Sequence, residues 1–188
     1  MRAVKYLNDI VYFEDVVKDI DFSSISYELK NVFLGQDNIY EADIDLAKND
    51  TNLKSKTLFY KSIFEGLHKY LKEIEERAPL KPWMKFENHF VQVPGTQDPQ
   101  MKQRCAAFEK EYYVVLFCLN TVNDGGFISL PNQNFSIHLQ ENTMLVFPGG
   151  KEYEYNIHKI GGSTNRSFIE MVVGWKNLKL KSFWTRLF

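Results

Sequence analysis

The hydrophobic pattern divides the chain into a helical part and a long series of strand-like segments. Between Lys56 and Arg77, apolar residues recur at spacings of three and four, which predicts an amphipathic helix packed on a sheet. The apolar positions of this stripe are Leu58, Phe59, Ile63, Leu67, Tyr70, Leu71 and Ile74. Before the stripe, residues 1–55 alternate short apolar runs with acidic loops, and this mixture predicts edge strands and a short helix.

The segment after the helix carries signals for strands and turns. The prolines of ERAPLKPW predict that the helix ends at Pro82 or before it, and FENHFVQV then alternates like a strand. YYVVLFCLN is a continuous apolar run, typical of a strand buried on both faces, and VNDGG predicts a tight hairpin. The remaining strand-like segments are FISLP, FSIHL, TMLVFP and SFIEMVVGW.

Many short strands after one long helix predict an α+β, mainly β fold. The expected form is a double-stranded β-helix, or jelly roll, with a supporting N-terminal helical layer. The length of 188 residues fits a single domain. Within it we expect N-terminal strands and supporting helices over residues 1–80, a jelly-roll core over 81–176 and a basic, aromatic tail over 177–188.

Charge and cysteine content exclude several classes of partner and compartment. The formal net charge of −1 gives no overall field that would attract nucleic acid or an anionic membrane. The two cysteines, Cys105 and Cys118, are too few for a disulfide framework, which favours a reducing compartment. No segment has the roughly 18 apolar residues of a membrane span, and the N-terminus lacks a signal-peptide core. We therefore expect a soluble, cytoplasmic protein.

The C-terminal tail KNLKLKSFWTRLF mixes basic and bulky apolar residues. One interpretation is a last strand or helix that packs on the domain. The other is a tail that docks on a protein partner through Phe183, Trp184 and Phe188, because these side chains form an exposed apolar patch unless something covers them. Four basic residues near Trp184 are typical of a solvated face, so nucleic-acid binding is not expected.

The candidate chemistry lies in LVFPGGKEYEYNIHKIGGSTNRSFIEMVVGW, where His158 follows one apolar strand and Arg166 begins the next. Together with FENHFVQVPG, LFCLN and DGGFISLP, this order resembles the 2-oxoglutarate- and Fe(II)-dependent oxygenases, nearest to prolyl, lysyl or phytanoyl hydroxylases. The resemblance covers about 90 residues, from Phe86 to Trp175. It implies that His158 is the distal iron ligand and that Arg166 binds the far carboxylate of 2-oxoglutarate bidentately.

The sequence departs from that family at the early His-x-Asp motif, because no histidine occurs between His89 and His138. Aligned on the Pro-Gly turn, the ligand positions fall on Gln103 and Cys105, or on Met101 and Gln103 in a register two residues earlier. Amide and thioether groups are poor iron ligands beside imidazole and carboxylate. The resemblance thus implies an incomplete metal triad.

Other metal sites and simpler roles remain open at this point. His89 with Asp98 is an unorthodox ligand pair, although His89 and His138 also fit ordinary sheet positions. Cys105 with His158 suits zinc better than iron, but the other two ligands of a structural zinc site are not visible. Arg166 also has a structural interpretation, in which it neutralises Glu154 or Glu170.

Three functional hypotheses follow. The first is an oxygenase-like jelly roll that is catalytically impaired and serves as a binding or assembly module, for instance in a virus or phage. The second is an active hydroxylase of a protein side chain, nucleobase or small molecule, with Fe(II) and 2-oxoglutarate held in an atypical site. The third is an unrelated jelly roll, cupin-like or carbohydrate-binding. Cofactors are therefore Fe(II) and 2-oxoglutarate if the protein is active, and otherwise none.

Overall fold

The computed structural model describes two antiparallel sheets that face each other across one core. The described residues are 2–7, 9–18, 62–63, 65–67, 80–92, 94–95 and 112–177, with the backbone alone described over 2–6, 80–91 and 175–177. The strands in this part of the chain are β1 Arg2–Leu7, β2 Ile10–Glu14, β3 Leu80–Gln92, β4 Tyr113–Cys118, β5 Ile128–Leu130, β6 Phe135–Ile137, β7 Thr143–Pro148, β8 Asn156–Ile157 and β9 Arg166–Asn177.

The large sheet has the strand order β1-β2-β7-β4-β9-β3, and the small sheet has the order β6-β5-β8. Every described strand pair is antiparallel. Side chains of both sheets point into the space between them and form one apolar cluster. Its buried members are Ile10, Tyr12, Val114, Leu116, Cys118, Ile128, Leu130, Leu139, Leu145, Phe147, Tyr153, Tyr155, Ile157 and Phe168. This architecture confirms the predicted jelly roll.

The central strand β4 is buried over its whole length, as its continuous apolar run predicts. It lies between β7 and β9, and its outward face is covered as well as its inward one. Residues 62–63 and 65–67 are helical, and Ile63 and Leu67 on the predicted stripe are fully buried. The rest of the predicted helix lies outside the described residues.

Two local features differ from the prediction. The strand predicted as FENHFVQV begins earlier, at Leu80, so that Pro82 lies inside β3, opposite Trp175. Among the described strands, β3 lies at the edge of the large sheet, where a residue without an N–H donor is tolerated. The second concerns VNDGG, which forms no hairpin. It carries the chain from β4 in the large sheet to β5 in the small one, and Gly125 and Gly126 both have positive φ, 71° and 72°.

Asn142 ties the start of the chain to the turn before β7. Its side chain accepts a hydrogen bond from the Val17 N–H and donates one to the Val17 carbonyl, both at 2.9 Å. Its own backbone N–H donates to the Cys118 carbonyl at 3.0 Å, and its φ is +61°. The segment after β2 is thereby fixed against the end of β4. The predicted division of the single domain at residues 80 and 176 stays a prediction.

Candidate functional site

Arg166 is the first residue of β9, and it is fully buried. Its register partner on β3 is Gln92, and the alternation along β9 places it on the same face as Phe168, which belongs to the apolar cluster. Arg166 is the largest of the fully buried side chains described. A guanidinium therefore lies at one end of the space between the two sheets.

The guanidinium of Arg166 uses only part of its hydrogen-bonding capacity. Its Nη1 donates to the carbonyl oxygen of Gly126, at the crossing between the sheets. Its Nε and Nη2 are buried and have no hydrogen-bond partner. No described hydrogen bond joins Arg166 to Glu154 or Glu170, and the interpretation that Arg166 neutralises one of these carboxylates stays a prediction. Leaving buried donors unbonded costs about 1–3 kcal/mol each, and more for a charged group.

Two neighbours of the guanidinium lie on its own face of the sheet. The Phe168 ring centroid is 5.5 Å from Cζ, a distance at which the ring stabilises the cation. The Cys118 thiol is fully buried, and burial raises its pKa, while the charge of Arg166 acts in the opposite direction. The thiol donates to the Asn120 carbonyl at 3.2 Å. Cys118 is therefore a protonated, inward-facing thiol beside the arginine.

The loop that bonds Arg166 is joined closely to the loop after β8. The Gly126 N–H donates to the Lys159 carbonyl at 2.8 Å, and the Gly161 N–H donates to the Asp124 carbonyl at 2.9 Å. Gly125 and Ile160 form an isolated antiparallel bridge. On the other side of the same loop, the Gly95 N–H donates to the Ile160 carbonyl at 2.8 Å. We call the two apposed segments 124–126 and 159–161 the glycine junction.

His158 is exposed, whereas Arg166 is buried, so the structure does not bring the two side chains into one cavity. The His158 ring bonds Ser129 instead, with 2.7 Å between Nε2 and Oγ. Ser129 is the residue between the buried pair Ile128 and Leu130 of β5, so it faces away from the core. The shared pocket expected from the sequence is thus not formed, and the role of His158 as a metal ligand stays a prediction.

His138 also lies at the outer side of the small sheet. Its ring contacts the exposed Phe127 ring with 5.3 Å between centroids, and its Nδ1 lies 3.3 Å from the Gln140 amide nitrogen. β6 ends at Ile137, so His138 stands directly after the strand, and its interpretation as a sheet residue stays a prediction. The other expected ligands, Gln103, Cys105 and Asp98, lie outside the described residues. The backbone of His89 pairs with Ile169, but its side chain is not among those described.

The described side chains do not assemble a metal centre. Over the described ranges, no group of three or more His, Cys, Asp or Glu residues is placed to hold a metal ion. His158, the expected distal ligand, is turned away from the core toward Ser129. The described donors therefore do not fit an iron triad, whereas the free edge of Arg166 fits a carboxylate.

Comparison with known proteins shows which solved structures share this fold. No family model matches the sequence, and the search of curated proteins found no match. Among solved structures, the viral collagen prolyl hydroxylase vCPH from Paramecium bursaria Chlorella virus-1, in its 2-oxoglutarate complex, superposes with a TM-score of 0.60. The identity is 11%, and the superposition covers 88% of this chain and 94% of that one.

This chain has the fold of the 2-oxoglutarate- and Fe(II)-dependent oxygenases. A prolyl-4-hydroxylase from Pseudomonas putida gives a TM-score of 0.56 at 9% identity, covering 90% of this chain and 94% of that one. HygX from Streptomyces hygroscopicus, with nickel and 2-oxoglutarate bound, gives a TM-score of 0.54 at 10% identity, covering 89% of this chain and 82% of that one. The oxygenase-like resemblance of the sequence is confirmed at the level of the fold.

Sequence reasoning found Arg166 but missed its partner Gly126. The signal was present as the Gly-Gly of VNDGG, which was assigned to a hairpin. The polar pair Tyr155 and Glu170 was also missed, since neither residue stands in a recognisable motif. The proposed docking residues Phe183, Trp184 and Phe188 lie outside the described residues. No helix in the described part of the chain is both long enough and apolar enough to cross a bilayer.

Proposed function

We propose that this protein binds 2-oxoglutarate through Arg166, inside an oxygenase-like jelly roll whose iron triad is incomplete. The observation that carries the proposal is the fully buried guanidinium with Nε and Nη2 unbonded. The proposed role is that of a catalytically impaired binding or assembly module. The solved structures with 2-oxoglutarate bound, vCPH and HygX, support the class of ligand through their fold.

The free edge of Arg166 has the shape that a carboxylate requires. The Nε–H and one Nη2–H of a guanidinium lie along one edge of its plane and point in parallel, so they bind the two oxygens of one carboxylate together. Binding would satisfy two buried donors at once and neutralise a buried positive charge. The far carboxylate of 2-oxoglutarate supplies such a group. An electrically neutral ligand of the same size does not.

The proposal of impaired catalysis rests on two observations. Aligned on the Pro-Gly turn, the resemblance puts Gln103 and Cys105, or Met101 and Gln103, where the family has its histidine and carboxylate ligands. The expected distal ligand, His158, is exposed and bonded to Ser129 on the outer face of the small sheet. A carboxylate clamp without a metal triad favours binding over oxidation. Because function depends on sites and not on folds, the jelly roll is compatible with this change.

Thermal unfolding with and without 2-oxoglutarate tests the proposal. A ligand at 100 times its Kd adds about 2.7 kcal/mol to the native state, which corresponds to a rise in Tm of roughly 5–10 °C for a chain of this length. Arg166→Met keeps the apolar stem and removes the clamp, so the rise should disappear in this variant. A rise of equal size in wild type and Arg166→Met would refute the assignment.

An active hydroxylase is the competing function, and consumption of 2-oxoglutarate decides between them. The protein is incubated with Fe(II), oxygen and 2-oxoglutarate, and the loss of 2-oxoglutarate is measured. We expect no loss above that of a protein-free control. Loss that depends on both Fe(II) and Arg166 would establish the oxygenase instead, and it would require ligands from the segment that contains Gln103 and Cys105.

A virus or phage setting and a protein partner for the tail belong to the same proposal. The first is compatible with the shared fold of the viral prolyl hydroxylase, a fold that bacterial proteins also have. For the second, the support is the sequence of the tail, with Phe183, Trp184 and Phe188 among basic residues. Deleting residues 178–188 should release such a partner without altering the response of Tm to 2-oxoglutarate.

A further inference from the structure

We propose that Gly126 is a positioning residue that determines which edge of the Arg166 guanidinium is offered to the ligand. The inference rests on the proposed function, because it concerns the same carboxylate clamp. It adds a second residue, 40 positions away in the sequence, that does not touch the ligand. Its role follows from three features of Gly126: its carbonyl, its backbone conformation and its missing side chain.

The carbonyl of Gly126 takes up one of the two terminal nitrogens of Arg166. Nη1 donates to this oxygen, and the Nε–Nη2 edge is left unbonded and buried. The bond at Nη1 fixes one corner of the rigid guanidinium fork, and the Phe168 ring lies 5.5 Å from Cζ and further restricts its orientation. The edge used for side-on binding of a carboxylate therefore faces the interior before any ligand arrives.

Gly126 also leaves the space that the guanidinium occupies. Its φ of +72° disfavours any residue with a side chain. A Cβ at this position would lie 3.2 Å from Arg166 Nη1, 3.1 Å from Val122 Cγ2 and 2.7 Å from Ile160 Cγ2. The first of these contacts requires Nη1, the atom that bonds the carbonyl, to move by a few tenths of an ångström. A change in the position of the guanidinium would also change the position in which it binds a carboxylate.

The backbone contacts of the glycine junction prevent the Gly126 carbonyl from moving when a methyl group is added at this residue. The Gly126 N–H is bonded to the Lys159 carbonyl, and Gly125 is paired with Ile160. A Cβ on Gly125 would lie 2.4 Å from the Lys159 oxygen, and one on Gly161 would lie 1.9 Å from Asp124 Oδ2. The two segments are thus in close contact along their length. A methyl group on Gly126 has to be accommodated by side chains, and Arg166 is one of the three that it meets.

Gly162 supplies a matched control. Its φ of +69° is close to that of Gly126, but a Cβ there would have nothing within 4 Å. Gly126→Ala and Gly162→Ala therefore introduce similar backbone strain and differ in the contacts of the added methyl group with Ile160, Val122 and Arg166. Any effect of the first variant that exceeds the second reports on these three contacts.

The decisive measurement is selectivity for the far carboxylate, determined by calorimetry at a temperature where each variant is folded. The probes are 2-oxoglutarate and 2-oxoglutaramate, in which an amide replaces that carboxylate. We expect wild type and Gly162→Ala to prefer 2-oxoglutarate equally. Gly126→Ala should bind 2-oxoglutarate about tenfold more weakly, a change of about 1.4 kcal/mol, and bind the amide as before. A general loss of structure would instead weaken both ligands.

A second pair of variants covers the case in which Gly126→Ala does not fold. Ile160→Leu removes Cγ2, the atom nearest to the added methyl group, and leaves the contact with Arg166 in place. Gly126→Ala in the Ile160→Leu background, compared with Ile160→Leu alone, should show the same loss of selectivity. Equal selectivity in this pair, or between Gly126→Ala and Gly162→Ala, would overturn the role of Gly126.

The two proposals fail in different ways. If wild type binds 2-oxoglutarate no better than Arg166→Met, the proposed function is wrong and the inference falls with it. If wild type binds and Arg166→Met does not, while Gly126→Ala keeps full selectivity, the function stands and only the inference is refuted.

Discussion

Tyr155 donates a hydrogen bond to Glu170 inside the core, with 2.5 Å between the phenol oxygen and Oε1. Both residues are fully buried. Tyr155 precedes β8 of the small sheet, and Glu170 lies on β9 of the large sheet, so this bond joins the two sheets by polar groups within an otherwise apolar cluster. It also places a carboxyl group on the same face of β9 as Arg166, roughly 13 Å along the strand.

Loss of this bond should destabilise the protein more than loss of a similar bond at the surface. Tyr155→Phe removes one donor from a buried carboxyl group, and we expect the free energy of unfolding to fall by about 1–3 kcal/mol. Tyr153→Phe is the matched control, because Tyr153 donates to the exposed Asp9 at 2.6 Å. Urea unfolding of both variants measures the difference. Equal losses in the free energy of unfolding would show that the buried bond stabilises the protein no more than the surface bond does.

Removing the Arg166 guanidinium should leave the unliganded protein as stable as before. The buried cation of Arg166 has two unbonded donors, and Arg166→Met puts an apolar side chain in its place. Replacements of this kind are often neutral or stabilising. We expect the free energy of unfolding without ligand to stay within about 1 kcal/mol of wild type or to rise. A loss of 3 kcal/mol or more in chemical denaturation would mean that Arg166 holds the fold and is not a free clamp.

Asn142 and Asn134 allow hydrogen bonding to be separated from backbone strain. Both have positive φ, 61° and 50°, and glycine relieves that strain at either position. Asn142→Gly also removes the two bonds to Val17, so we expect a net loss of about 1–2 kcal/mol. Asn134→Gly should be neutral or slightly stabilising, since Asn134 is exposed. Thermal unfolding compares them, and the reverse order would contradict this assignment.

Stability should fall at alkaline pH, partly through Tyr153. Burial raises the pKa of this phenol above its ordinary value of about 10, and the hydrogen bond to Asp9 acts in the same direction. The unfolded chain therefore loses the Tyr153 proton at a lower pH than the native protein does. The free energy of unfolding then decreases as the pH rises above about 10. Tyr153→Phe should show a shallower decrease than wild type between pH 9.5 and 11, and parallel curves would exclude the effect.

His158→Ala tests the predicted distal ligand directly. The side chain is exposed and its described bond is to Ser129, so we expect a stability loss below about 1 kcal/mol. If His158 is not a ligand, any change in Tm caused by Mn(II) should be the same in wild type and variant. Ser129→Ala, which removes the other half of the pair, is the control. A Mn(II) response abolished in His158→Ala but kept in Ser129→Ala would restore the metal assignment.

The sequence predicts the strands well where the apolar pattern is long. β4 is a continuous apolar run and is buried throughout, and β9 begins at Arg166 as expected. The position of His158 is harder to predict, because β8 is only two residues long. In a strand the facing side alternates with every residue, so a shift of one position decides between core and solvent.

The remaining errors have tertiary causes. A Gly-Gly pair with positive φ suits both a hairpin and a crossing between sheets, and only the packing of distant strands selects the crossing at Gly125 and Gly126. Pro82 is tolerated in β3 because, within the described part of the sheet, that strand has a neighbour on one side only. The bond between Arg166 and Gly126 joins residues 40 positions apart, and no local pattern encodes it.

The place of β9 in the large sheet has a consequence for synthesis on the ribosome. This strand, Arg166–Asn177, lies between β3 and β4, although it is the last of the described strands to be made. Among the described strands, β3 has no neighbour until β9 emerges, and β4 has one open edge, so both can pair with other nascent chains. A message truncated before codon 166 would therefore yield an aggregation-prone product.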